Sequence, residues 1–168
     1  NKPGRLNDEE FAIMKQHSVF SFRMVQNNPD FSNEVAYAVL QHHEKINGSG
    51  YPMGFELPQI SDYARIVGIV DVYEAMVSER PYRGGFCPFE AVRFMEGEGL
   101  HKFDSTYLSI FLSKLLEAYI HAKVLLSDGS EGEIMVINKS YLSRPIVKIC
   151  GRNVDLSLKN DVEVEKVI

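Results

Sequence analysis

In five segments before residue 122, apolar residues recur every three or four positions, which is the spacing of amphipathic helices. The predicted helices cover residues 8–26, 33–43, 62–78, 88–96 and 105–121. Four of these helices begin directly after residues that cap helix amides well, namely Asn7, Ser32, Ser61 and Asp104. The remaining helix begins at Pro88, whose fixed φ suits the first helical turn.

From residue 122 onward the pattern is typical of β-structure. Short apolar runs at 124–126, 134–137, 145–149 and 162–168 predict strands. The pair Asp128-Gly129 lies between two of these runs and is a hairpin signal. We therefore expect a mainly α protein: a helical domain over residues 1–121 with a small C-terminal antiparallel β appendage over residues 122–168.

Between the second and third predicted helices lies a long segment that cannot be helical. Residues 44–59 contain five helix-breaking residues, which are Gly48, Gly50, Pro52, Gly54 and Pro58. Long ordered loops inside compact domains carry binding or catalytic groups more often than short connections do. This loop is therefore a candidate part of a functional site.

The composition narrows the classes of function. The chain of 168 residues has 18 lysines and arginines and 23 aspartates and glutamates, so its net charge is −5. This balance argues against binding to polymeric nucleic acid or to an anionic membrane surface. No apolar run approaches the length of a membrane span. The only cysteines, Cys87 and Cys150, are far apart, as expected for reduced thiols in a cytosolic protein.

The adjacent histidines His42 and His43 stand where the second predicted helix meets the loop. Adjacent side chains on a helix point about 100° apart, so the pair cannot chelate one ion as an i, i+4 pair does. The two rings can serve two neighbouring ions, or one can bind an ion while the other orients it. The alternative is a polar helix end without a ligand, where cations suit the helix dipole.

Two further features are candidates for chemistry. Asp71 lies mid-helix in an apolar stretch, on a strip of small residues with Ala64, Gly68 and Ala75 that would allow another helix to approach closely. A metal ion or a buried arginine would compensate for its burial; alternatively, Asp71 faces solvent. Beyond this helix, the segment 80–83 (RPYR) offers two guanidinium groups that suit phosphate binding, although paired loop arginines usually have no ligand.

These residues resemble one family. The segment His42–Pro52 (HHEKINGSGYP) resembles the HHExxDGxGYP motif of the HD-GYP phosphodiesterases, bacterial enzymes that hydrolyse cyclic di-GMP. A second segment in register, residues 64–83, resembles the family block ARI…DxxDA…RPYR, and the opening residues resemble the segment that follows the HD motif. The resemblance covers essentially residues 1–115, and the β-rich remainder resembles the C-terminal extension of the family.

The resemblance implies an HD-type helical bundle that holds two or three divalent metal ions, with iron or manganese favoured by mixed imidazole and carboxylate ligands. The positions that match family metal ligands are His17, His42, His43 and Asp71. The positions that match nucleotide contacts are Lys2, Tyr51, Arg80 and Arg83. The residues that would shape the loop so that Tyr51 faces the pocket are Gly48, Gly50 and Pro52.

The chain departs from the family pattern in three places. It has no His-Asp doublet, which the family supplies from helices that precede this segment, so we expect those helices to lie upstream. Asn47 replaces the aspartate of the loop motif, which removes a charge but keeps an acceptor that forms turns. Glu74 replaces the second aspartate of DxxDA, which is a mild change.

These observations lead to three hypotheses. The first is a cytoplasmic metal-dependent phosphodiesterase, or the cytosolic part of a larger sensor, that hydrolyses cyclic di-GMP to pGpG or GMP in bacterial second-messenger signalling. The second is a catalytically incomplete module that binds cyclic di-GMP, or a partner signalling domain through Gly50, Tyr51 and Pro52, without turnover. The third, a nucleotide phosphohydrolase of the wider HD superfamily, is disfavoured by the Gly-Tyr-Pro loop.

Overall fold

The computed structural model describes residue 4 and residues 6–79, 84–159 and 161–168. Within these residues, α-helices come first and antiparallel strands follow. The helices are α1 (Asp8–Lys15), α2 (His17–Val25), α3 (Asn33–Gln41), α4 (Asp62–Val77), α5 (Pro88–Glu98) and α6 (Ser105–Glu117).

The predicted helix starts are confirmed, because the expected side chains cap the free amides. At α1, the Asn7 side chain accepts a hydrogen bond from the Glu10 amide, and the Glu10 carboxylate accepts one from the Asn7 amide, both at 2.8 Å. The hydroxyl of Ser61 and the carboxylate of Asp104 cap α4 and α6 in the same way. These caps satisfy amides that have no partner inside the helix.

The prediction of a single helix over residues 8–26 was wrong, because the chain breaks at Gln16 between α1 and α2. At the break, side chains donate hydrogen bonds to backbone carbonyl groups. The His17 ring donates to the carbonyl of Met14 at 2.7 Å, and the Ser18 hydroxyl donates to the carbonyl of Lys15 at 3.1 Å. Such side-chain bonds to backbone carbonyls are a known cause of helix bends.

The strands form one antiparallel sheet in the order β4-β3-β2-β1-β5. They are β1 (Lys123–Leu126), β2 (Glu131–Val136), β3 (Ile146–Ile149), β4 (Arg152–Asp155) and β5 (Val164–Val167). The hairpin predicted at Asp128-Gly129 joins β1 to β2 and is confirmed. Strand β4 was missed, because its sequence RNVD has a single apolar residue and its conformation depends on pairing with β3.

The prediction of a small β appendage was wrong. The sheet has five strands, and its inward side chains share one hydrophobic core with the helices. Leu126, Ile134 and Val147 of the sheet are completely buried in that core, as are Val92 of α5 and Leu116 of α6. Alternating strand residues therefore complete the apolar faces of the helices. The division into two domains at residue 121 stays a prediction.

Helices α3 and α4 approach each other closely where the small-residue strip of α4 faces the end of α3. A Cβ atom added at Gly68 would lie 2.5 Å from the carbonyl oxygen of His42. The buried side chain of Gln41 adds a second link, since it donates to the carbonyl of Gln59 and accepts from the amide of Ser61. The predicted close approach at this strip is confirmed.

Among the residues that the model describes, no helix combines the length and the apolar character needed to span a bilayer.

Substitution of Gly68 tests the contact between α3 and α4. Gly68→Ala places a methyl group against backbone that cannot move aside, so we expect the free energy of unfolding to fall by about 1–3 kcal/mol. The matched control is Gly97→Ala in α5, where an added Cβ meets nothing within 4 Å. Because alanine favours helix over glycine, the control should be neutral or stabilising by up to about 1 kcal/mol. Equal effects of the two substitutions in urea unfolding would contradict the contact.

Substitution of Ile134 tests the shared core. Ile134→Ala should lower the free energy of unfolding by about 2–5 kcal/mol, and the loss should appear in the helical circular dichroism signal at 222 nm. Val136→Ala is the control from the same strand, since Val136 is half exposed, and it should cost less than about 1 kcal/mol. Helices that melt at the wild-type temperature in Ile134→Ala would show that the sheet does not support them.

Candidate metal centre

Three imidazole rings converge at the junction of α2, α3 and the loop that follows α3. The Nε2 atom of His17 lies 3.1 Å from Nε2 of His43 and 3.4 Å from Nε2 of His42. Among the described residues, these three histidines form the group whose ligand atoms all lie within 4.8 Å of one another. We call this group the histidine cluster.

The expectation that His42 and His43 point about 100° apart does not apply, because the chain leaves the helix at this position. Helix α3 ends at Gln41, His42 is its C-cap, and His43 lies in the following turn. The two rings are only 4.0 Å apart between centroids and are tilted by 40°. Both can therefore face the same point in space.

Backbone carbonyls set the orientation of two of the rings. Nδ1 of His17 donates to the carbonyl of Met14 at 2.7 Å, and Nδ1 of His42 donates to the carbonyl of Val39 at 2.8 Å. Each carbonyl belongs to the residue three positions earlier in the chain. Because Nδ1 carries the proton in both rings, each Nε2 atom presents a lone pair to the cluster.

The chemistry of these donors fits a divalent cation. Burial lowers the pKa of His42 below its ordinary value, and burial together with the neighbouring His42 lowers the pKa of His43 to about 4. Both rings are therefore neutral at neutral pH, which is the state in which histidine binds metals. The lone pairs of His17 and His42 face each other at 3.4 Å, an arrangement that a cation between them would stabilise.

A carboxylate adjoins the cluster. The Asp71 oxygen Oδ2 lies 3.7 Å from Nδ1 of His43. The sequence left two alternatives open for Asp71, burial with a compensating partner or exposure to solvent. Its side chain is 45% exposed, so full burial is excluded. Asp71 lies one helical turn after Gly68, whose contact with His42 brings this part of α4 to the cluster.

A groove of about 940 Å³ opens beside the cluster, between α2, α3 and α4. Its polar lining includes His17, His42 and Asp71, and its apolar walls include Val39 and Val67. Its volume lies within the range of roughly 300–1,000 Å³ that is common for small-molecule sites. The groove therefore offers a ligand both apolar contact and direct access to the histidines.

Tyr51 contacts the cluster from the loop. Its ring lies 4.6 Å from that of His43 and 6.4 Å from that of His17, between centroids. Its amide donates to the carbonyl of His43 at 3.3 Å. Burial and the nearby Asp71 carboxylate raise the pKa of Tyr51 to about 12. The phenol therefore stays protonated at neutral pH and is able to donate a hydrogen bond.

The glycines singled out in the loop occupy positions where a side chain is disfavoured. A Cβ atom at Gly50 would lie 2.5 Å from the Cα of Glu44 and from the carbonyl oxygen of His43, so no side chain fits there. Gly48 has a φ of +75°, which favours glycine, and the bond between Tyr51 and Pro52 is cis. The close packing of Gly50 on the backbone of residues 43–45 brings Tyr51 next to the histidines.

Glu44 is a residue to which the sequence interpretation gave no role. It is buried, and its two carboxylate oxygens accept hydrogen bonds from the amides of Met53 at 2.7 Å and Phe55 at 2.9 Å. It thus joins the two ends of the loop directly beside His43. A usable signal was present, since an acidic side chain next to a loop rich in glycine can accept from the loop's unpaired amides.

The base of the loop is attached to the turn before α6. The amide of Ile46 donates to the carbonyl of Lys102 at 3.1 Å. The ammonium group of Lys45 is buried 4.3 Å from the centroid of the Phe103 ring, and burial lowers the pKa of Lys45 to about 8. These contacts attach the base of the loop to the segment that precedes α6.

Asn47 keeps the role of a turn-forming acceptor. Its side-chain oxygen accepts hydrogen bonds from the amide of Ser49 at 3.2 Å and from the hydroxyl of Ser49 at 2.7 Å. The remaining predicted nucleotide contacts, Lys2, Arg80 and Arg83, lie outside the described residues.

Comparisons with known proteins agree with the resemblance drawn from the motif. The chain is 36% identical over 149 residues to a cyclic di-GMP phosphodiesterase of Pseudomonas aeruginosa, which covers 89% of this chain and 36% of that protein. It is 43% identical over 96 residues to a cyclic di-GMP phosphodiesterase of Thermotoga maritima, which covers 56% of this chain and 26% of that protein. The chain thus spans about a third of the length of these relatives or less.

Among solved structures, a HDG"Y"P protein from Bdellovibrio bacteriovorus matches with a TM-score of 0.54 and 20% identity, over 70% of this chain and 36% of that chain. At this identity the match shows a shared fold. The family model described as HD domain matches residues 1–107. The resemblance to the HD-GYP phosphodiesterases is therefore confirmed, and the chain belongs to the HD-domain family.

Proposed function

We propose that this chain is part of a metal-dependent phosphodiesterase that hydrolyses cyclic di-GMP to pGpG or GMP. The observation that carries the proposal is the histidine cluster, in which ligand atoms of His17, His42 and His43 lie within 4.8 Å of one another and two of the rings line an open groove. The names of the relatives support this choice of substrate, since the similar proteins from Pseudomonas aeruginosa and Thermotoga maritima are named cyclic di-GMP phosphodiesterases.

In this proposal His17, His42, His43 and Asp71 hold two or three divalent ions, with iron or manganese favoured by their nitrogen and oxygen donors. Bound divalent ions would supply Lewis-acid polarisation of the phosphodiester and an activated water. The carbonyls that accept from Nδ1 of His17 and His42 would leave the Nε2 atoms of these two rings free to bind such ions.

In this proposal the substrate is held by Tyr51 beside the cluster and by cations that the motif supplies. Tyr51, whose phenol stays protonated, donates a hydrogen bond to the nucleotide. Lys2, Arg80 and Arg83 supply positive charge to the phosphates, as their places in the motif imply. Gly48, Gly50 and Pro52 shape the loop that presents Tyr51. The proposed setting is the cytoplasm.

A second candidate function is a module that binds cyclic di-GMP, or a partner signalling domain through the loop at Gly50, Tyr51 and Pro52, without turnover. The observation that favours it is the small number of ligands: among the described residues, the cluster offers three histidines, with one carboxylate beside it. This is a small set for two or three ions, each of which takes about four or more ligands.

Metal binding is the first test of the site. In isothermal titration calorimetry, His42→Ala should weaken the affinity for Mn²⁺ by at least about tenfold, because it removes one ring from the cluster. The matched control is His101→Ala, an exposed histidine on another element, which should leave the affinity unchanged. Equal affinities of the wild-type protein and His42→Ala would refute the ligand assignment.

Turnover separates the two candidate functions. The full-length protein with Mn²⁺ or Fe²⁺ should convert cyclic di-GMP to pGpG or GMP, as followed by chromatography, and a chelator should stop the reaction. His42→Ala and Asp71→Ala should each reduce kcat by at least about 100-fold, while His101→Ala retains it. Tight binding of cyclic di-GMP by the full-length protein without any product would reject the phosphodiesterase and favour the binding module.

A further inference from the structure

An exposed aromatic ring lies next to the polar cluster. Phe11, on α1, is 43% exposed, and α1 has no buried residue. Its ring contacts the ring of Tyr51 edge to face, with centroids 6.3 Å apart and planes at 80°. A half-exposed phenylalanine that contacts the histidine cluster through Tyr51 provides apolar surface that a planar ligand can cover.

A cation lies against both rings. The ammonium group of Lys15, one turn after Phe11, is 5.1 Å from the centroid of Phe11 and 6.0 Å from that of Tyr51. Within the described part of the chain, Lys15 forms no ion pair with a carboxylate. Its charge is therefore available to an anionic ligand, unlike that of Lys45, which is buried under Phe103.

These three side chains are continuous with the histidine cluster, because the Tyr51 ring packs on that of His43 at 4.6 Å. A dinucleotide with one phosphodiester at the cluster has a second phosphodiester and two bases that must lie elsewhere. In a chain whose net charge is −5, local cations decide where a second phosphate can bind. Lys15 is such a cation, and the adjacent rings can stack on a base.

We propose that Phe11 and Lys15, together with Tyr51, form a recognition surface for the non-reacting half of a cyclic dinucleotide: Lys15 binds its second phosphate and the Phe11 ring stacks on a base. This inference rests on the proposed function and adds two residues to it. Its consequence is selectivity, since a phosphodiester that lacks a second phosphate and a base makes no use of this surface.

The test compares two substrates in the full-length protein with Mn²⁺. For cyclic di-GMP, Lys15→Gln should raise KM about tenfold with kcat changed less than about twofold, the loss expected for one charge-assisted hydrogen bond. For bis(p-nitrophenyl) phosphate, which carries a single phosphodiester, both constants should stay at the wild-type values. Phe11→Leu should raise KM for cyclic di-GMP severalfold and likewise spare the small substrate.

Two variants serve as controls. Lys15→Arg keeps the charge and should retain a KM near that of the wild-type protein. Lys114→Gln removes an exposed surface charge on α6 and should leave both substrates unaffected. If Lys15→Gln leaves KM for cyclic di-GMP unchanged, or lowers turnover of both substrates together with thermal stability, the recognition role is overturned. If the wild-type protein hydrolyses neither substrate, the proposed function fails, and this inference fails with it.

Discussion

The backbone of His42 lies directly against Gly68, and this contact determines where the histidine rings can be. Only a hydrogen atom separates the α4 backbone from the His42 carbonyl, so the end of α3 is held at a defined height along α4. Asp71 follows one turn later on the same face and therefore reaches His43. The distance of 3.7 Å between their side chains depends on helix packing more than on any direct bond.

The loop that carries Tyr51 is likewise held in place by close backbone packing and by internal hydrogen bonds. Its ends are joined by the buried carboxylate of Glu44, which accepts from two amides, and Gly50 packs on the backbone between His43 and Lys45. A buried carboxylate that lost these amides would be left without partners, so the closed form of the loop is strongly favoured. Glu44 and Gly50 thus position Tyr51 and His43 through packing and hydrogen bonds within the protein, and neither is proposed to bind the metal ions or the substrate.

Much of this arrangement could be predicted from local sequence. The caps of α1, α4 and α6 and the hairpin at Asp128-Gly129 are local signals, and each was present in the chain. The motif from His42 to Pro52 identified which residues to examine at the site. These signals depend on interactions between residues only a few positions apart.

Other features of the fold and the site depend on tertiary contacts, which a pattern along the sequence does not encode. The break at Gln16 results from the His17 and Ser18 side chains competing for backbone carbonyls. Strand β4 exists because β3 pairs with it, and the sheet joins the core because α5 and α6 offer it an apolar surface. The convergence of His17 with the His42-His43 pair likewise needed the packing of α2 on α3. The absence of space for a Cβ atom at Gly50 and Gly68 has a genetic consequence. Every other amino acid carries that atom, so at these two codons every nucleotide change that replaces the glycine disturbs a backbone contact beneath the site.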